Sequence, residues 1–253
     1  TSSITAMNFT YFSGTSTLSS NTVTNITGQA AITAITIGSA ASGTLLTVAS
    51  NTINNLTSTG TGGAIIGLSC TNASTTVNIN SNAINTLSST GASSVTALSI
   101  GAGATTNVYL NKIYNLVGTN ASSTVNGILI SAGTNINTYN NIIGDLRATI
   151  ASGTDVIRGI NITSTTATSN QRVYYNTIYL NATSTGTNFG STGIFHTYSS
   201  TATTAALDLR NNIIVNASGA NGTGLAVAFR RSSATDLNNY ASTSNNNLFF
   251  GTS

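Results

Sequence analysis

The chain contains no Glu, no Pro and no Trp, one Cys, one Met and one His, and only 4% of its 253 residues are charged, against roughly 25% in ordinary soluble proteins. Each shortage excludes something. A lone Cys70 cannot form an internal disulfide, and with a single His there is no zinc-spaced Cys/His set. No apolar run approaches the roughly 18 residues of a membrane-spanning helix. The net charge of +3 comes from Lys112, Arg147, Arg158, Arg172, Arg210, Arg230 and Arg231 against Asp145, Asp155, Asp208 and Asp236. Without a basic cluster that balance gives no electrostatic footprint for nucleic acid. No initiator Met and no signal peptide are seen, so the chain reads as mature or excised. No feature calls for a cofactor or metal.

What the chain does contain is Asn, Ser, Thr and Gly around regularly spaced aliphatics. With 40% hydrophobic residues, that regularity argues against disorder. An N-x-[IVL] motif recurs at Asn21, Asn51, Asn82, Asn111, Asn141, Asn176, Asn212 and Asn246, in steps of 30, 31, 29, 30, 35, 36 and 34 residues. Two places on stand Val23, Ile53, Ile84, Ile113, Ile143, Ile178, Ile214 and Leu248; five places on stand Ile26, Leu56, Leu87, Leu116 and Leu146. This is the Asn block. A Gly block follows: "AITI" (34–37), "GLSC" (67–70), "ALSI" (97–100), "GILI" (127–130), "GINI" (159–162), "GIFH" (193–196) and "GLAV" (224–227). A third block, here the Tyr block, precedes the next Asn, as in "TVNI", "NVYL", "INTY" and "RVYY".

Within each block apolar residues fall on alternate places, the period of a strand with one buried face. Stretches such as "TSTGTGG" between blocks are turn chemistry. No 3.6-residue apolar period persists, and β-branched residues dominate. Units of near-constant length that cannot bury a face alone must stack. The expectation is a single all-β domain over 1–253, a parallel β-helix solenoid with three short strands per coil and about eight coils of 29–36 residues, spaced roughly 4.8 Å apart. Asn is expected to supply the left-handed turn residue and to form a ladder from coil to coil. The chain begins and ends within a unit, which predicts a piece of a longer solenoid, or a subunit whose end coils are covered by neighbours.

The N-x-I and G-[IL]-x-[IV] pair resembles the right-handed parallel β-helix repeats of the pectate-lyase-like superfamily, over residues 18–250. The phrases "NKIYNLVGT" and "NTIYLNATSTGT" resemble Asn/Thr-rich β-helix regions of large secreted surface proteins of Bacteroidetes-type bacteria. The resemblance implies an extracellular or cell-surface setting. Enzymes of that superfamily gather several acids in one groove; here the four Asp are scattered through the repeat, and no pair of carboxylates for glycoside chemistry emerges.

His196 takes the last place of its Gly block, the slot also assigned to Ile37, Cys70, Ile100, Ile130, Ile162 and Val227, and is expected to be a buried core residue. The Tyr block offers the best binding candidates. Two places before the ladder Asn stand Asn80, Tyr109, Tyr139, Tyr174 and Arg210; four places before stand Asn78, Asn107, Asn137, Arg172 and Asp208. Alternation points both rows outward, giving three stacked tyrosines beside an amide row, with Arg172 and Asp208 able to pair. One reading is a strip binding a glycan or protein partner; the other is a structural ladder. The second Gly-block row holds Thr36, Ser69, Ser99, Leu129, Asn161, Phe195 and Ala226, no Thr array of the kind that meets ice. The sequence therefore predicts a non-enzymatic, adhesin- or stalk-like surface β-helix with this strip as its binding face. Alternatives are a polysaccharide lyase or glycosidase, which requires Asp145, Asp208 and Asp236 to converge, and a structural subunit of an extracellular fibre.

Overall fold

The computed structural model describes residues 2–233 and 235–252, and the chain winds through three parallel sheets in strict rotation. The Gly-block sheet has eight strands: Ile4–Tyr11, Ile32–Ala41, Ile65–Cys70, Ser94–Ile100, Thr124–Ile130, Gly153–Ile162, Phe189–His196 and Ala226–Arg231. The Tyr-block sheet has seven: Thr15–Ser19, Leu45–Ala49, Thr76–Asn80, Thr105–Tyr109, Asn135–Tyr139, Asn170–Tyr174 and Ala206–Arg210. The Asn-block sheet runs Thr22–Gly28, Thr52–Ser58, Ala83–Ser89, Lys112–Gly118, Ile142–Gly144 with Leu146–Ala148, Thr177–Leu180, Ile213–Asn216 and Leu248–Gly251. Each strand pairs with its equivalent one coil away, so the molecule is a β-solenoid of about eight coils with three strands per coil, and no helix occurs among the described residues.

Register converts the sequence repeat into columns of like residues. Ile35, Leu68, Leu98, Ile128, Ile160 and Ile194 stack in one line, and Ile53, Ile84, Ile113, Ile143, Ile178 and Ile214 in another, all essentially fully buried. Each such side chain contributes roughly 1.5–3 kcal/mol of burial, which is why the bore can dispense with charge. Small residues are needed just before the first of these lines. A Cβ at Gly127 would sit 2.5 Å from the Gly159 carbonyl oxygen and 2.8 Å from Ile143, so the strand bends there against both the next coil and the Asn-block column.

The ladder Asn side chains are hydrogen-bonded on every side. Each Nδ2 donates to Oδ1 of the Asn one coil on, at 2.9–3.0 Å from Asn21 through Asn212. Each Oδ1 also accepts the backbone N–H of the preceding ladder Asn, at 2.9–3.1 Å. The second Nδ2 proton ties the corner to a Tyr-block carbonyl, as in Asn111 to Ile79 and Asn141 to Val108.

The left-handed turn residue is not the ladder Asn but the one before it. Ser20, Ser50, Ser81, Leu110, Asn140, Tyr175, Asn211 and Asn246 all have φ between 53° and 58°. This corrects two expectations. The ladder Asn is kept for its amide, not for a tolerant backbone; and in the last coil the ladder passes to Asn247, with Asn246 making the turn. Ile214 consequently pairs with Phe249, while Leu248 faces outward opposite Ile213. A second left-handed column, Asn25, Asn55, Thr86, Asn115 and Asp145, explains the three-residue gap between the two inward aliphatics of the Asn block. Where that column stops, the spacing falls to two, as in Ile178 and Leu180.

The Gly block of the final coil also lies elsewhere than expected. Ile194, Phe195 and His196 pair with Phe229, Arg230 and Arg231, so the block is Ala228–Arg231 rather than 224–227. Val227 stands opposite Thr192, and the slot after His196 belongs to Arg231. In the outward row Arg230, not Ala226, follows Phe195.

Candidate functional site

The Tyr-block strip has the expected register. Asn78, Asn107, Asn137, Arg172 and Asp208 are successive partners, as are Asn80, Tyr109, Tyr139, Tyr174 and Arg210. Asn107 donates to Asn78 and Asn137 to Asn107, each at 2.8 Å, and Arg172 donates to Asn137 at 3.3 Å. Tyr109 and Tyr139 lie ring on ring, 4.9 Å apart and 1° from parallel. The facing sides of those two rings are therefore occupied by each other, which favours the ladder over a platform for sugars.

Two expectations for this strip are corrected. Tyr174 does not extend the stack; its hydroxyl donates to Asp208 at 2.6 Å, and the Arg210 guanidinium lies 5.6 Å from its ring centroid. Arg172 and Asp208 are neighbours on one face but do not pair, because Asp208 forms its ion pair with Arg210 at 2.6 Å. Burial and the Asp208 hydrogen bond push the Tyr174 phenol up to about 12. Burial also pushes the Asp208 carboxyl up, but its bonds from Arg210 and Tyr174 outweigh this and hold it below the usual carboxylate range.

The acids do not gather. Asp145 pairs with Arg147 at 2.9 Å on the Asn-block sheet, Asp208 lies on the Tyr-block sheet, and Asp236 accepts from Tyr198 at 2.8 Å in the last loop. Among the described residues no group of three His, Cys, Asp or Glu side chains could hold a metal ion. His196 is fully buried, as expected. Its Nε2 donates to the Ala205 carbonyl at 2.9 Å, leaving Nδ1 without a partner. Burial depresses its imidazole to about 4; the Ala205 bond opposes this and the Arg231 charge adds to it. Cys70 is a buried hydrophobe whose thiol burial pushes up to about 11, so it is no nucleophile at neutral pH.

A cleft that simple alternation does not reveal opens on the Gly-block sheet. Strand Gly153–Ile162 breaks alternation twice, burying Val156 with Ile157 and then the whole run Gly159–Ile162, Asn161 included. These two bends bring Asp155, Arg158 and Asn161, spaced by three, to the outer side. Arg158 Nε donates to Asp155 at 3.0 Å and its Nη1 to Asn161 at 3.2 Å, while its guanidinium lies 4.0 Å from the Phe195 ring centroid. Thr192 donates to the other Asp155 oxygen at 2.6 Å, and Asn161 donates to Asn126 at 2.9 Å. The result is a pre-set polar floor. Above it an open cavity of about 420 Å³ runs between the segments at 121–124 and 152–156, walled by Ser122, Ser123, Thr124, Ser152 and Thr154. A smaller space of about 90 Å³ continues over Asn126 and Asn161. Outside the lining, Arg230 reaches back two coils to the Thr154 carbonyl at 3.4 Å.

No family model, no curated protein and no solved structure matches this chain.

Proposed function

We propose that this chain is a non-catalytic, extracellular or cell-surface β-helix, adhesin- or stalk-like, that holds a short glycan in the Gly-block cleft. The carrying observation is the floor of that cleft, where Arg158 is fixed by Asp155, Asn161 and Phe195 before any ligand arrives. A site lined by hydroxyls and amides, with its one cation already paired, suits a neutral or weakly polar polyhydroxyl ligand. The volume suits one or two sugar rings. The ladder supplies stiffness, since every coil is bonded to the next through its corner amide. Under this reading the Tyr109/Tyr139 strip braces the solenoid, and the coil is of the right-handed pectate-lyase-like kind, from an Asn/Thr-rich bacterial surface protein.

The test is a glycan array probed with the wild type and two variants. Ser122→Trp fills the cleft from its exposed rim, and Arg158→Ala removes the centre of the floor. Both are expected to abolish binding, Ser122→Trp with an unchanged melting curve. A wild type that binds no glycan, or variants that bind as well as it does, would overturn the assignment.

A further inference from the structure

We propose that the outer face of the Asn-block sheet, from the fourth coil onward, is a flat docking platform for an extended, uncharged β-linked polysaccharide lying along the solenoid axis. One outward column of that sheet reads Thr24, Asn54 and Asn85 in its first coils, then changes character. From Lys112–Gly118 onward it runs Tyr114, Gly144, Tyr179, Val215 and Phe250. An aromatic ring stands on every second coil, with a non-aromatic residue, Gly144 or Val215, between each pair. All three rings are about half exposed, at 46%, 50% and 51%. Among the described residues none of them stacks on another ring or carries a side-chain hydrogen bond.

The contrast with the Tyr-block sheet gives this spacing its meaning. There Tyr109 and Tyr139 sit on consecutive coils and cover each other, 4.9 Å apart. Here Gly144 and Val215 separate the rings, so neighbouring aromatics lie about 9.6 Å apart, two coils of roughly 4.8 Å. Their faces are left open. That interval is close to the length of one disaccharide in an extended β-1,4-linked chain, so successive rings meet equivalent sugar faces. Aromatic faces and C–H-rich pyranose faces match in both shape and polarity.

Charge selects among occupants. The whole sheet carries Lys112 and the Asp145–Arg147 pair, whose members neutralise each other at 2.9 Å. A face with one unpaired charge complements a neutral polymer and offers nothing to an acidic or basic one. The column beside the rings reads Lys112, Ile142, Thr177, Ile213 and Leu248, and its three aliphatics are about half exposed, adding apolar surface next to the rings. This platform lies on a different sheet from the cleft. It deepens the glycan-binding reading but does not depend on that cleft.

The experiment is depletion of the protein from solution by microcrystalline cellulose and by chitin particles. Wild type is expected to be retained on at least one. Tyr114→Ala and Tyr179→Ala are each expected to weaken retention roughly tenfold, and together to abolish it. Both variants should still fold, with only a modest drop in melting temperature, because rings half exposed bury much less than core side chains. Tyr179→Phe should retain binding and Asn54→Ala, on the polar coils, should have no effect. Ser122→Trp should leave particle retention intact, which separates failure of the cleft from failure of the platform. No retention on either particle, or retention that survives the double variant, overturns the proposal. So does a concentration-dependent dimer that the double variant dissolves, which would assign the face to a second copy of the chain.

Discussion

His196 and Arg231 occupy one inward slot in consecutive coils, at the end of a column that otherwise reads Ile37, Cys70, Ile100, Ile130 and Ile162. This one column of the bore thus turns from apolar to polar over its last two coils, while its neighbours Ile194, Leu207, Leu209 and Ile214 stay apolar and buried. Arg231 is bonded to Asn239, lies 5.6 Å from the Tyr240 ring centroid and has Asp236 nearby, whereas His196 has only the Ala205 carbonyl and a long contact from Asn239. A neutral imidazole fits there and an imidazolium beside Arg231 does not.

This makes stability depend on pH with a definite sign. The folded His196 titrates near 4 and the unfolded one near 6.5, so between those values the unfolded chain binds the extra proton. Stability is intact above about pH 6.5 and falls as pH drops toward 4, by up to about 3 kcal/mol. Urea unfolding at pH 7.5 and 4.5 should show that loss in the wild type. His196→Val should fold and lose much less over the same interval, and an equal loss in both proteins would refute the assignment.

The ladder predicts a larger effect from a single amide. Asn141 accepts from the backbone and side chain of Asn111 and donates to Asn176 and Val108. Asn141→Ala leaves those buried groups without partners at about 1–3 kcal/mol each. A loss of at least about 3 kcal/mol is expected, against a far smaller loss for Asn80→Ala on the outer face. Equal losses at the two positions would show that the ladder is not the element that holds the coils.

Legibility in the sequence followed local regularity. Steps of 29–31 residues made the first coils readable, and the Asn, Ile and Tyr columns there fall as their spacing implies. Reading failed where several backbones fit one string. The run Asn245–Asn246–Asn247 offers two registers, and only the need for a left-handed residue before the ladder selects Asn247. In the last Gly block, "GLAV" copies the motif while the strand forms downstream at Ala226–Arg231. The cleft was hidden because alternation assumes a straight strand, and the bends at Val156 and Gly159 convert a period of two into a period of three. Tyr174 left its stack for a reason that lies one coil away, at Asp208.

The Tyr109/Tyr139 stack should behave as a brace. Tyr139→Ala removes one ring of a parallel, exposed-face pair and is expected to cost roughly 0.2–1 kcal/mol. Binding on the glycan array should be unaffected. A variant that melts like the wild type but loses binding would return the strip to the role of a recognition surface.

Gln171 offers the opposite kind of test, a substitution that improves the protein. Its side chain is fully buried in the bore, and neither amide atom has a hydrogen-bond partner. Its slot is held by Ile136 in the preceding coil and Leu207 in the following one, both fully buried. An unpaired buried polar group costs about 1–3 kcal/mol, whereas an apolar group of similar size at the same place costs nothing of that kind. Gln171→Leu preserves volume and continues the column, so thermal and urea unfolding should both show a gain of about 1–3 kcal/mol. Thr138→Val, which removes another buried hydroxyl without a partner, should shift stability in the same direction. A loss of stability on Gln171→Leu would mean that the amide is satisfied by water inside the bore, and a heavy-atom-sized density peak beside Gln171 in a crystal of the wild type would identify that water directly.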